Sequence, residues 1–483
     1  MSLVLLYLSM VQNPARRLSQ AEAVEDTQQF FSTLQRVHPD LLAKVKVEDY
    51  IKLKQQTLDG IAEKLDEDGR IHVNDLAYLL CYAAAFFKDG HTTVVWWRIK
   101  PDRSNTRFPS FLLGYDNGRF VVTTSSHYSI QGLEVVSIDG KPVREFLRPI
   151  LDRISGETLA GKSHLFARKQ AFWYSFSDLY GSAESLTLVL RDGEGKESEH
   201  KVGFYRLPET LLAWATQLQE LRRQRTQVHF LDSDRIAWFI YPGFRNNEDE
   251  KKKIENIFQE IKARGSQDLI IDLRDNGGGS SEMGDRIFSY LHEGKLIQVS
   301  KTRIKVSSEI LSPAYAKTLE RFVKADEARK YSAYLQRKYA GREGMIVDLH
   351  GEEEDEEDEP LRRPNAFFSG GVFLLVDNGS FSSASMFAAA FRDYSVGTIL
   401  GYETGGVPSH FGEMYPFELE NSGILCGVSY KQFLNPKPRP GDDEHGVIPD
   451  VPMSDKLLRA YQKEDDPVLA FTLDHIKKTR RSP

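Results

Sequence analysis

Val372-Phe373-Leu374-Leu375-Val376-Asp377-Asn378-Gly379-Ser380-Phe381-Ser382-Ser383-Ala384-Ser385-Met386 is the stretch that decides how this chain folds. Five apolar residues, Val372 to Val376, run unbroken into the turn formers Asp377, Asn378 and Gly379. Such a run predicts a strand buried on both faces of a parallel sheet. Ala384 to Arg392 is rich in helix formers, so a buried strand turns sharply into a helix through a cluster of serines. That geometry lifts a side chain above the carboxyl edge of the sheet and aims the helix's free N–H groups at whatever binds there. The plain alternative is a capped helix start, with Ser382 or Ser383 as N-cap.

Leu269-Ile270-Ile271-Asp272-Leu273-Arg274-Asp275-Asn276-Gly277-Gly278-Gly279-Ser280 predicts a second buried strand, running into three consecutive glycines. Glycines there allow positive φ and close approach of backbone N–H groups to a ligand. One strand ending in a donor-rich glycine turn and another in a serine turn supply an oxyanion hole and a nucleophile, the parts of acyl transfer. A flexible turn is the competing interpretation of the glycines alone.

These residues carry a family resemblance. Asp272 to Gly279 resembles the oxyanion-loop motif of the tail-specific, or C-terminal-processing, serine proteases. Ser383-Ala384-Ser385 is similar to their nucleophile turn, and His445-Gly446-Val447-Ile448-Pro449-Asp450 to their closing Gly-Val/Ile-x-Pro-Asp motif. The three motifs, in order, span residues 230–455. The resemblance implies an α/β fold with a crotonase-like or ClpP-like core and Ser383 as nucleophile. It implies oxyanion donors from Gly278 (or Gly277) and Ala384. Retinoid-binding proteins use the same fold without hydrolysis, so a non-catalytic protein binding a peptide or an apolar ligand is the alternative.

The chain departs from the lysine-using members of that family. They place a lysine base some two dozen residues after the serine, near Pro408 here, yet Tyr394 to Tyr430 has no lysine and the first is Lys431. A serine needs a base within reach to become a nucleophile. His91, His410 and His445 are the candidates. By itself His91, in the turn Lys88-Asp89-Gly90-His91-Thr92, reads as an ordinary turn residue. The resemblance favours it, because relatives that lack the lysine carry Asp-Gly-His at this place and the tricorn protease core takes a histidine base from an upstream segment. A histidine base has an orienting acid. The tricorn resemblance implies Glu444 for that part, with Glu413 as its rival; Asp442-Asp443-Glu444 otherwise reads as a solvated acidic turn.

Around these motifs the 483 residues divide into three parts, enough for two or three domains. Residues 21–98 predict an N-terminal helical domain, with amphipathic periodicity over Glu22–Leu34, Val47–Leu65 and Val73–Phe87, followed by a strand over Thr93–Trp97. Residues 101–207 predict a β-rich cap. Its strands are expected at Arg119–Thr124, Leu133–Ile138, Ser185–Arg191 and His200–Phe204, with turns at Asp139-Gly140 and Asp192-Gly193. Gly132 to Val143 resembles the second half of a PDZ domain, which captures peptide ends along an exposed strand. Pro208–Gln224 predicts a connecting helix. The core, 230–455, opens with a strand over Arg235–Tyr241 and a helix over Glu248–Arg264. It is interrupted by an insertion, 295–365, with helices near Pro313–Lys324 and Asp326–Tyr339 and eight consecutive acids, Glu352 to Glu359. A block of like charge repels itself and reads as a solvated loop rather than a metal site, since hard cations need convergent oxygens.

Composition narrows the rest. A net charge of −7 argues against a nucleic-acid partner, which needs a basic face. Cys81 and Cys426 sit in apolar surroundings and predict buried thiols. The apolar start, Met1 to Val11, is too short to span a bilayer and lacks the basic front of a signal peptide. No other run reaches transmembrane length, so no integral membrane segment is expected. An extracytoplasmic location is favoured over a cytoplasmic one. The expected partner is a peptide or protein substrate; neither a cofactor nor a metal is expected.

Overall fold

The computed structural model describes residues 16–95, 108–116, 118–125, 128–167, 183–205, 225–294, 296–320, 323–350, 364–461 and 463–481. The apolar start Met1–Val11, the end of the strand expected at Thr93–Trp97, the connecting helix 208–224 and the acidic run Glu352–Glu359 lie outside these residues or at their edge. The architecture is mixed α/β.

The centre is a six-stranded sheet in the order Gln227–Leu231, Ile236–Ile240, Asp268–Asp272, Gly371–Val376, Thr398–Gly401, Val451–Pro452. Only the first pair is antiparallel. The others run parallel, with Ile240 opposite Asp272, Asp272 opposite Leu375 and Val376 opposite Gly401. Both predicted central strands are there, and their unbroken apolar runs have a plain cause, since both faces are covered. Leu269, Ile271, Leu374 and Val376 pack with Ile254, Phe258, Ile287, Phe387 and Phe391 from the helices Glu248–Arg264, Ser281–Ser289 and Ser383–Asp393. On the other face Ile270, Phe373 and Leu375 pack with Val468, Phe471 and Ile476 of the helix Pro467–Arg481. That helix lies beyond residue 455, where the sequence pattern ends the core.

A second sheet joins distant parts of the chain. Ile346–His350, Lys301–Lys305, Leu425–Leu434 and His410–Glu418 form it in that order, and the short strand Thr93–Val94 pairs with Leu425–Leu434. The three predicted N-terminal helices form as Gln20–Val37, Val47–Glu63 and Val73–Ala85. Their Phe30, Leu34, Ile61, Leu76 and Leu80 share one cluster with Ile304, Leu335, Cys426 and Val428. The N-terminal helices therefore pack on strands from the 295–365 segment and from the end of the core. This packing places the turn after the helix Val73–Ala85 beside the central sheet. Both cysteines are buried and free, as their surroundings predict.

The third sheet is antiparallel and seven-stranded, built from residues 108–205 in the order Phe108–Pro109, Glu197–Tyr205, Ser185–Arg191, Glu134–Ile138, Arg119–Ser125, Phe111–Asp116, with Lys141–Pro142 on Glu134–Ile138. Asp139 and Gly140, with φ of 47° and 75°, make the tight turn their pairing predicts. The helix Val143–Leu151 buries Phe146, Leu147 and Ile150 against Leu113, Val122 and Leu188 of this sheet. No helix among the described residues is long and apolar enough to cross a membrane.

Candidate active site

The strand Gly371–Val376 leaves the central sheet into a turn held from both sides. Ser380 Oγ donates to Leu273 O at 2.8 Å, and the Phe381 N–H donates to Asn276 O at 2.9 Å. Asn276 is itself fixed through Nδ2 on Tyr241 O at 2.7 Å. The serine turn and the glycine loop are thus tied to each other. Ser382 follows at φ 56°, ψ −124°, a conformation sparsely populated by residues with a side chain. The helix Ser383–Asp393 starts immediately after it.

Ser382 meets His91. The imidazole Nε2 lies 3.2 Å from Ser382 Oγ, inside the reach of a nucleophile and its base. His91 comes from the Asp-Gly-His turn, which the strand Thr93–Val94 pins to Leu425–Leu434. Its ring stacks on Phe381, centroids 5.0 Å apart, and on its other neighbour His410 at 5.7 Å with 11° between planes. Burial lowers the affinity of His91 for a proton, against the opposing charge of Asp89 and the Phe411 main chain. It therefore stays neutral, and able to accept, to lower pH than an ordinary histidine.

His410 is no rival by position. It is buried, its Nδ1 faces Val407 O at 3.2 Å, and burial, then the charge of His91, holds it down to about 3. It is a neutral aromatic floor behind the base. His445 is exposed and lies 3.5 Å from Glu403, away from the serine.

Two acids face the base, and neither is Glu444. Asp89 is buried; its Oδ1 accepts the His91 main-chain N–H at 2.9 Å and lies 3.9 Å from His91 Nδ1. Its Oδ2 accepts the hydroxyls of Thr92 and Ser429, both at 2.6 Å, and faces His38 Nε2 at 3.3 Å. Burial pushes Asp89 up, but His38, the charge of His91 and the Ser429 hydroxyl outweigh it and hold its carboxyl well below the usual range. Glu157, from the loop after the helix Val143–Leu151, accepts the Gly90 N–H at 3.0 Å. Burial, with the charge of Asp89 next, pushes its carboxyl up to about 7. Asp89, His91 and Glu157 each bring one donor atom within 4.8 Å of the others. Tetrahedral zinc holds ligand atoms about 3.4 Å apart, given bonds of about 2.1 Å. The 3.9 Å between His91 Nδ1 and Asp89 Oδ1 is wide for that.

The structure places several of the expected residues away from His91. Ser383 is buried and donates to Gly279 O at 2.7 Å, so its hydroxyl points at the glycine loop and not at His91. The cause is the backbone at Ser382, whose positive φ turns that side chain out of the helix direction while Ser383 begins the helix. The donors move with it. Ala384 N–H is used by Phe381 O at 3.1 Å, and Gly278 N–H by Asn276 Oδ1 at 2.9 Å. The N–H of Ser383 has no acceptor among the described residues. Glu444 is exposed and forms no hydrogen bond or ion pair with His91 among the described residues. Glu413 pairs instead with Lys431 at 2.7 Å and with the Tyr331 hydroxyl. Its closing motif is structural: Val447 N–H donates to Thr404 Oγ1 at 2.7 Å and Asp450 accepts the Ile399 N–H at 2.9 Å.

Glu157 was not legible at all. Ser155-Gly156-Glu157-Thr158 matches no motif, and it reaches the site only because Thr158 Oγ1 anchors its loop on Gly405 O at 2.8 Å. Asp89 stands in the Asp-Gly-His turn, where its two-residue spacing from the base was the available signal.

The model of peptidase family S41 matches residues 235–453, a span holding both the glycine loop and the serine turn. No curated protein matches the sequence. Mature CPAF superimposes with a TM-score of 0.59 at 15% identity, covering 95% of this chain and 97% of that one. CPAF complexed with lactacystin gives 0.58 at 15%, covering 95% and 98%. The photosystem II D1 C-terminal processing protease gives 0.40 at 15%, covering 90% and 94%. At such identities the CPAF likeness shows a shared fold. Residues 235–453 carry the match to peptidase family S41, and the chain is a serine peptidase.

Proposed function

We propose that this serine peptidase is an endopeptidase working by a Ser–His mechanism, with Ser382 as nucleophile and His91 as its base. The contact of His91 Nε2 with Ser382 Oγ, 3.2 Å, carries that assignment. Ser382 Oγ attacks the scissile carbonyl as its proton passes to Nε2, and the imidazolium returns that proton to the leaving amine. The Ser383 N–H, at the free N-terminus of the helix Ser383–Asp393, is one oxyanion donor. The second comes from the glycine loop, where the N–H groups of Gly277 and Gly279 have no acceptor among the described residues.

The substrate class we infer is an unfolded or tail segment of a protein, bound extended. Support comes from the antiparallel sheet of residues 108–205, whose edge strand Phe111–Asp116 suits strand addition. Its loop at Glu157 and Thr158 touches the site directly. An extracytoplasmic setting fits such a substrate. The alternative of a binding protein without chemistry gains no observation, since a strained serine beside a partly buried histidine serves no purpose in mere binding.

A fluorophosphonate probe tests the assignment. Wild type and Ser383→Ala should be labelled and should cleave a peptide pool, whereas Ser382→Ala and His91→Ala should do neither. Labelling of Ser382→Ala with loss in Ser383→Ala would return the nucleophile to Ser383.

A further inference from the structure

We propose that Glu157 is a positioning residue of the proton-transfer unit, holding His91 in the tautomer that can accept the serine proton. This rests on Ser382 and His91 acting as proposed above. To take a proton from Ser382 Oγ, Nε2 must carry the lone pair, so the hydrogen of the neutral ring sits on Nδ1. Nδ1 is buried and makes no hydrogen bond of good geometry among the described residues, the Phe411 main chain being the backbone group that acts on the ring. A buried donor left unpaired is costly, and a base so left has nothing to fix its tautomer.

The neighbouring acids are unequal. Asp89 is spent: Oδ1 serves the His91 main chain, and Oδ2 serves Thr92, Ser429 and His38. Glu157 has its Oε1 fixed on the Gly90 N–H, but its Oε2 is a second buried orphan in the same pocket. A buried donor and a buried acceptor, both without a hydrogen bond among the described residues, therefore lie in one pocket, where a ring nitrogen of His91 and a carboxylate oxygen of Glu157 come within 4.8 Å of each other. Gly90 leaves no room for a side chain at this point. A Cβ on Gly90 would lie 2.5 Å from Phe381 Cζ and 3.1 Å from Glu157 Oε2.

The proton count closes. Ser382 loses its proton to Nε2, Nδ1–H stays shared with the Glu157 carboxylate, and the imidazolium so formed faces a negative charge. When Glu157 is protonated it donates to Nδ1 instead, which forces the hydrogen onto Nε2 and blocks the base. The groups that set its charge are Asp89, His91, Lys44 and Lys162, with the neutral His410 beyond the ring. Because Glu157 belongs to the region carrying the antiparallel sheet, that region completes the site and any shift of its loop switches the base.

Glu157→Gln decides it, since the amide oxygen keeps the Gly90 bond while the charge is lost and the acceptor facing the ring becomes an NH2 donor. The pH profile of kcat/KM on an internally quenched peptide should drop by about a hundredfold on its plateau, the scale of one acid–base contribution. Its acid limb should also move down by about one pH unit, as an anion beside the imidazole is removed. Thr158→Val, which loosens the same loop from Gly405, should lower the rate without moving the limb. In Glu157→Ala, added formate should restore rate, because it refills the acceptor site. An unmoved limb in Glu157→Gln, or a folded Glu157→Ala indifferent to formate, overturns the proposal. Activity surviving in Ser382→Ala or His91→Ala would instead overturn the reading beneath it.

Discussion

Gly278→Ala probes how tightly the glycine loop and the serine turn are locked together. Gly278 has φ +95°, and a Cβ built there lies 2.8 Å from Phe381 O, 2.8 Å from Ser382 Cβ and 3.0 Å from Ser383 N. Carbon contacts relax at about 3.5 Å, so roughly 0.7 Å must be absorbed by the turn that carries the nucleophile. Misplacing reacting groups by about 1 Å costs about a hundredfold, and we expect a fall in kcat/KM of roughly tenfold to a hundredfold. A side chain held at positive φ adds about 1–3 kcal/mol of destabilisation. Gly277→Ala is the matched control, because nothing lies within 4 Å of its Cβ and its φ is not in the left-handed region. Its rate should stay within about twofold of wild type, as no reacting group moves. The assay is cleavage of a quenched peptide with urea unfolding of each variant alongside. Full turnover in Gly278→Ala, or a larger loss in Gly277→Ala, would refute the claim that this contact sets the position of Ser382.

Four further outcomes follow from the same geometry. Ser383→Ala removes the hydroxyl from Gly279 O and should cost about 1 kcal/mol in urea unfolding while turnover persists; loss of turnover would implicate Ser383 in chemistry. Arg274→Met strips the partner at 2.6 Å from the buried Asp272 and the link at 2.8 Å to Asp466. It should destabilise by about 3–5 kcal/mol, and an unchanged unfolding midpoint would contradict the burial of that pair. In Glu157→Gln, where no carboxyl is left beside the ring to titrate, the acid limb of kcat/KM should lie below the ordinary histidine value of about 6.5, because burial lowers His91; a limb above it in that variant would exclude His91. His410 binds no proton until about 3 in the folded state but near 6.5 when unfolded, so stability should fall as pH drops through that window. His410→Phe should flatten the slope by one proton, and an identical slope would show that His410 does not titrate on unfolding.

The elements themselves were legible in the sequence because local causes write them. Leu269–Ile271 and Val372–Val376 had to be apolar throughout, since helices cover both faces of their sheet, and continuous runs of that kind are visible without a partner. Glu248–Arg264 announced both ends, with the Asn247 side chain accepting the Glu250 N–H at 2.9 Å and Gly265 closing the helix at φ 69°. His91 was pointed to only by the family resemblance of its Asp-Gly-His turn, since by itself it reads as an ordinary turn residue.

What tertiary structure decided is whatever depends on direction or on distance in sequence. Ser382 and Ser383 are adjacent and chemically identical, and only the φ of 56° at Ser382 settles which hydroxyl faces the imidazole 291 residues away. The N-terminal helices read as a domain of their own, because periodicity shows that a face is apolar but not what covers it. Strands at Lys301–Lys305 and Ile346–His350 went unseen among charged residues until their pairing with Leu425–Leu434 and with each other made them a sheet. Glu157 carried no mark whatever. Its chemistry comes from burial and from the charge of Asp89, and both are properties of the assembled pocket, where the loop holding Glu157 packs against a turn 67 residues earlier.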